Sequence, residues 1–123
     1  VENARRILCD LIERPTVNPM GRAWEGSVPV ERPVTEYLEG LFAPYGVSVE
    51  RQAVSAAHEN LAISLPGRED VAPTLFESHM DTVPADDWAD RAFVPAVDGD
   101  RVVGRGACDD KGCLAAMALA FLD

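Results

Sequence analysis

The stretch Pro73-Thr74-Leu75-Phe76-Glu77-Ser78-His79-Met80-Asp81 decides how the chain is read. Its apolar middle, Leu75 and Phe76, predicts a strand over Pro73–Ser78 with both side chains inside. His79 and Asp81 then fall at the C-terminal end of that strand, where open α/β sheets bind their ligands. Residues i and i+2 of extended chain point to the same side, so the two can share one site. Imidazole is a good zinc ligand, and a ligating imidazole usually donates its other N–H to an oxygen that fixes its tautomer. Asp81 is placed to be that oxygen. Taken alone, H-x-D is a weak signal, because a lone histidine is more often structural.

The second informative piece is Gly104-Arg105-Gly106-Ala107-Cys108-Asp109-Asp110-Lys111-Gly112. Its glycines permit tight turns and close backbone approach. A carboxylate at this loop-to-helix junction suits metal coordination. It equally suits capping of the helix that begins at Lys111, and both hold if one aspartate caps while the other ligates. A zinc site from His79, Cys108 and Cys113 is a further option, but their spacing is not that of a zinc knuckle. His58 lies in a polar loop and reads as a surface residue. Lys111 and Arg105 read as local stabilisers of the acidic turn.

Working outward, Ile7, Leu8, Leu11 and Ile12 have helical spacing and predict a helix over 2–13, stopped by Pro15. A loop rich in Pro, Gly and Asn covers 14–28. Val30, Val34, Tyr37, Leu38, Leu41 and Phe42 predict a second helix over 29–43. Val47–Val54 and Asn60–Leu65 read as strands. Phe93–Val103 reads as two short strands around Asp98-Gly99. From Lys111 onward the chain is helical and apolar on nearly every side, so that helix expects to be covered all round. The covering would come from sequence beyond Asp123 or from an oligomer interface.

The 123 residues suit one modest domain, and a 47% hydrophobic content allows a real core. A net charge of −10 argues against nucleic acid and anionic membranes, which need a basic face. Solubility is its main reading. Asp81, Asp86, Asp87, Asp90, Asp98, Asp100, Asp109 and Asp110 crowd the last third, however, and such a cluster can line a cation site. No apolar run reaches membrane-spanning length, and the N-terminus has no signal-peptide layout. Three cysteines, two of them close together, do not form a secreted disulfide framework. A cytoplasmic setting fits best.

Ser78–Gly112 resembles the co-catalytic metallopeptidases that include acetylornithine deacetylase, succinyl-diaminopimelate desuccinylase, aminoacylase and glutamate carboxypeptidase. The matching pieces are S-H-M-D-T-V-P, Trp88, Phe93 with Pro95, V-D-G-D-R-V-V-G-R-G and A-C-D-D-K-G. Weaker matches are Pro15-Thr16-Val17-Asn18-Pro19 and Asn60-Leu61-Ala62-Ile63. The resemblance implies an α/β fold, a mixed twisted sheet flanked by helices. It implies two divalent metal ions, zinc first with cobalt or manganese as alternatives. His79 would bind one metal, Asp81 would hold the His79 ring, and Asp109 would bridge both metals. Dications about 3.5–4 Å apart repel by on the order of 20 kcal/mol at an effective dielectric of about 20, which a shared carboxylate offsets. A cis peptide at Asp109–Asp110 is also implied.

The family pattern further expects a downstream Glu-Glu pair, a later acid and a final histidine. Glu36 and Glu39 precede the first ligand and are poor substitutes. Residues 1–123 are therefore expected to be the N-terminal portion of the catalytic domain, inactive alone. The intact protein would hydrolyse amide bonds in N-acyl amino acids or small peptides, as a homodimer. The alternative is a non-catalytic remnant that folds or self-associates and binds metal weakly or not at all.

Overall fold

The computed structural model describes residues 2–68, 70–86, 88 and 91–122. Three helices make most of the core. Helix α1 spans Glu2–Ile12 and buries Ile7, Leu11 and Ile12. Helix α2 spans Arg32–Phe42, with Pro33 in its first turn, where a missing N–H costs nothing. It buries Val34, Thr35, Leu38 and Phe42, then tightens into a 3-10 turn over Ala43–Tyr45. Helix α3 spans Lys111–Leu122 and buries Leu114, Ala115 and Ala118 against α1 and α2. The rings of Phe42 and Phe121 meet edge to face at 5.6 Å, a favoured aromatic geometry.

All three helices were expected from the sequence, the first two from their helical spacing and the third from its continuous apolar run. The second begins at residue 32 instead of 29, because the Val30 amide donates to Ala57 O in the neighbouring hairpin loop and not into a helix. Helix α3 is apolar all round, as expected, and Cys113, Ala116 and Ala120 on it are exposed.

Strands β1 (Ser48–Ala53) and β2 (Glu59–Ser64) form an antiparallel hairpin, with Val49 opposite Ile63 and Arg51 opposite Leu61. Two ion pairs dock it on α2. Arg32 meets Glu59 with two bonds of 2.9 and 2.7 Å, and Arg51 pairs with Glu39. Strands β3 (Ala96–Asp98) and β4 (Arg101–Val103) form a second, smaller hairpin. Its two-residue loop is Gly99-Asp100, with Gly99 at φ +56°, the glycine-first position of a tight hairpin turn.

The chain is thus α/β. The strands among the described residues form two separate two-stranded sheets. One sequence expectation is corrected: Pro73–Ser78 is not a strand. A strand exists only where a ladder partner satisfies its backbone, and β1 and β2 bond each other while 73–78 joins neither. Leu75 and Phe76, expected inside, are 84% and 71% exposed. No helix among the described residues is long and apolar enough to cross a membrane.

Candidate metal centre

Two loops bring the site together. The first is Ser78–Thr82, which the 16–18 loop grips on both sides of Asp81. Thr16 Oγ1 donates to Met80 O at 2.6 Å, the Thr82 amide to Thr16 O at 2.8 Å, and the Asn18 amide to Thr82 O at 2.8 Å. The second is the turn Gly104–Asp110 at the head of α3. Gly106 sits at φ +80°, and a Cβ there would lie 2.7 Å from Thr82 Cγ2, so a side chain would push the two loops apart. The Asp109–Asp110 peptide bond is cis, as the resemblance implied.

His79 lies between two carboxylates. Its Nδ1 is 3.0 Å from Asp81 Oδ1, and its Nε2 is 2.8 Å from Asp109 Oδ1. The Asp109 carboxylate raises the imidazole above its ordinary value, with Asp81 adding to the effect and partial burial opposing it. The Asp109 side chain is 86% exposed and so remains open to a further partner. Asp110 has a different task. It accepts hydrogen bonds from the Cys113 thiol and from Ser78 Oγ, which hold its carboxyl below the usual range. Its carbonyl accepts the first helical bond, from the Leu114 amide. The two aspartates therefore divide the work: Asp110 builds the helix start and Asp109 faces the histidine.

A cavity of about 290 Å³ opens over this group, lined by Asn18, His79, Asp81, Trp88, Arg105 and Asp109 among others. The Arg105 guanidinium stacks over Trp88 at 5.2 Å. Asp86, Asp98 and Asp100 are exposed and do not line the cavity. Asp87 and Asp90 lie outside the described residues. Among the described residues of this acidic group, Asp81 and Asp109 line the cavity.

Two readings from the sequence are corrected. Lys111 does not serve only its own turn. It is fully buried, and its Nζ donates to Leu11 O and Arg14 O, each at 2.8 Å, at the end of α1. Burial, with Arg14 nearby, pulls the amine down to about 8. Lys111 ties the head of α3 to the carbonyl end of α1, where a cation is favoured. His58 is not a free surface residue. Its Nδ1 is 2.8 Å from Glu31 Oε1, and Glu31 Oε2 accepts the Glu59 amide, so the pair pins the hairpin loop to the start of α2.

The donors suit a metal in kind, with an imidazole nitrogen and a carboxylate oxygen converging on one cavity. They do not suit it in number. Among the described residues no group of three or more His, Cys, Asp or Glu side chains is arranged to hold an ion.

Known proteins match this chain in sequence. The sequence pattern of Peptidase family M20/M25/M40 matches residues 75–123, which contain His79, Asp81 and Asp109. A succinyl-diaminopimelate desuccinylase of Methylobacterium sp. is 40% identical over 104 residues, covering 76% of this chain and 26% of that protein. A second, of Novosphingobium aromaticivorans, is 30% identical over 118 residues, covering 92% of this chain and 29% of that protein. A peptidase M20 domain-containing protein of Schizosaccharomyces pombe is 32% identical over 94 residues, covering 73% of this chain and 22% of that protein. The chain belongs to the M20/M25/M40 peptidase family. It spans about a quarter of the length of the curated relatives it matches.

Proposed function

We propose that residues 1–123 form the N-terminal portion of a two-metal amidohydrolase catalytic domain. In this reading His79 is a ligand to one ion, Asp109 is the carboxylate shared by two, and Asp81 holds His79. The observation that carries it is the His79 ring set between Asp81 and Asp109 beneath the cavity. When bound, a pair of zinc ions (or cobalt or manganese) would acidify a shared water and polarise the carbonyl of an amide. The chain's own residues prepare for this. Asp81 fixes the ring proton on Nδ1, which leaves the Nε2 lone pair for an ion. Exposed Asp109 can reach beyond the first ion. The buried anchor of Lys111 holds the Asp109 turn in place from behind.

The substrate class is an N-acyl amino acid or small peptide, and the desuccinylase relatives favour an N-succinyl amino acid. The general base and the remaining ligands would come from outside residues 1–123. A homodimeric, cytoplasmic enzyme goes with the same reading. One observation favours a second reading, a non-catalytic chain with weak metal binding: among the described residues no group of three or more donors is arranged to hold an ion.

The test is to add zinc or cobalt to the chain, measure binding, and assay hydrolysis of N-succinyl-diaminopimelate and N-acetylornithine. His79-dependent binding without turnover is expected. Binding that His79→Ala leaves unchanged favours the second reading. Zinc-dependent turnover that His79→Ala removes contradicts the assignment of the missing ligands to sequence outside this chain.

A further inference from the structure

Asp81 presents its carbonyl oxygen, 3.0 Å from His79 Nδ1, and two carboxylate oxygens, of which only one also serves His79. Oδ1 lies 3.0 Å from His79 Nδ1, while Oδ2 accepts a hydrogen bond from Asn18 Nδ2 at 2.6 Å. The Asn18 amide cannot turn over freely, because its Oδ1 accepts the Met20 amide at 2.7 Å. That bond keeps the NH₂ end, the donor end, facing Asp81. The loop bends sharply to make it. Met20 has φ +54° and Gly21 φ +80°, and a non-glycine residue in this region is uncommon. The backbone on both sides of Asp81 is already fixed, through Met80 O to Thr16 and through Thr82 to Thr16 and Asn18. What remains free is the Asp81 side chain, and Asn18 removes that freedom.

We propose that Asn18 is a positioning residue: it locks the Asp81 carboxylate so that Oδ1 stays on His79 Nδ1 and Nε2 stays aimed at the metal position. This rests on the half-centre reading above for its purpose, though not for its geometry. A chain of hydrogen bonds links the loop to the imidazole: the Met20 amide donates to Asn18 Oδ1, and Asn18 Nδ2 and His79 Nδ1 both donate to the Asp81 carboxylate. Groups behind a metal-ligating histidine typically govern 10- to 100-fold of metal affinity. Asn18→Ala cuts the chain at its middle. Asn18→Asp keeps the acceptor for the Met20 amide, so the loop bend survives, but it offers Asp81 a second carboxylate in place of a donor.

The experiment has two arms on the same chain. The first needs no metal. With ¹⁵N-labelled histidine, the Nδ1–H resonance of His79 and its solvent exchange are recorded in wild type, Asn18→Ala and Asn18→Asp, beside unfolding midpoints. Faster Nδ1–H exchange in both variants, with folding retained, is expected. The second arm measures zinc affinity by chelator competition, and a loss of about tenfold is expected. Unchanged Nδ1–H exchange in either folded variant overturns the role of Asn18, whatever zinc does. Zinc binding that ignores His79→Ala overturns the half-centre reading, while the metal-free arm still decides the role of Asn18. If Asn18→Ala does not fold, Asn18→Asp carries both arms.

Discussion

His79 lies between two carboxylates, and this fixes the direction of its pH response. Its pKa is raised above the ordinary 6.5, first by Asp109 and then by Asp81. In the metal-free chain the charged imidazole therefore stabilises the fold fully below pH 6.5, and that contribution is lost as pH rises through the raised value. Zinc competes with the same proton, so zinc affinity should climb over that window. An NMR titration checks both: His79 should titrate above 6.5, and Asp109→Asn should bring it back toward that value. Titration at or below 6.5 contradicts the geometry. Lys111 gives a second test at this scale. Lys111→Met removes the ammonium donor from Arg14 O and from Leu11 O, which keeps only the Arg14 amide, and this should cost about 1–3 kcal/mol in denaturant unfolding. An unchanged midpoint would show that α1 does not depend on this anchor.

The elements were legible from sequence to differing degrees, for physical reasons. Helices α1 and α2 could be read because a 3.6-residue apolar period is a local property, and Ile7, Leu11, Val34 and Leu38 carry it, while α3 was legible as an unbroken apolar run from Lys111. The β3–β4 hairpin was legible because its turn dipeptide and both strands lie within a few residues, while β1 and β2 were legible as strands but their pairing was not. Pro73–Ser78 was misread because a strand is defined by a neighbour, which its own residues cannot reveal. The same limit applies in the site. His79, Asp81 and Asp109 stand in motifs and could be named. Asn18 reaches Asp81 across 63 positions, and Lys111 reaches Leu11 across 100, so no local pattern announced either contact. The Gly104–Asp110 turn is the element most exposed to a single change. Gly106→Ala combines a strained φ with a close approach to Thr82 and should cost about 1–3 kcal/mol. Thermal unfolding checks this, and a Tm at or above wild type would mean that the turn relaxes without strain.

Across the whole molecule, a helical core is closed on one side while several large apolar groups stay exposed. Leu75, Phe76, Val83 and Val94 are all more than half exposed, and Cys113, Ala116 and Ala120 line the outer side of α3. Exposed apolar groups contribute little to folding but promote association. Phe76→Glu should therefore leave unfolding within about 0.5 kcal/mol of wild type and reduce self-association in sedimentation at high concentration. A marked loss of stability would place Phe76 in a packed environment instead. Solvation by the net charge of −10 works against such association.

The half-centre itself is tested most directly by following both histidines, His58 and His79, during a zinc titration. Ring ¹⁵N resonances distinguish the two side chains and the two nitrogens of each. The expected result is a zinc-induced shift at His79 Nε2, with Nδ1 still protonated and His58 unaffected, abolished by Asp109→Asn. A response at His58, or one that survives Asp109→Asn and disappears in Cys108→Ser or Cys113→Ser, would contradict the assignment of His79 and Asp109 as the metal pair.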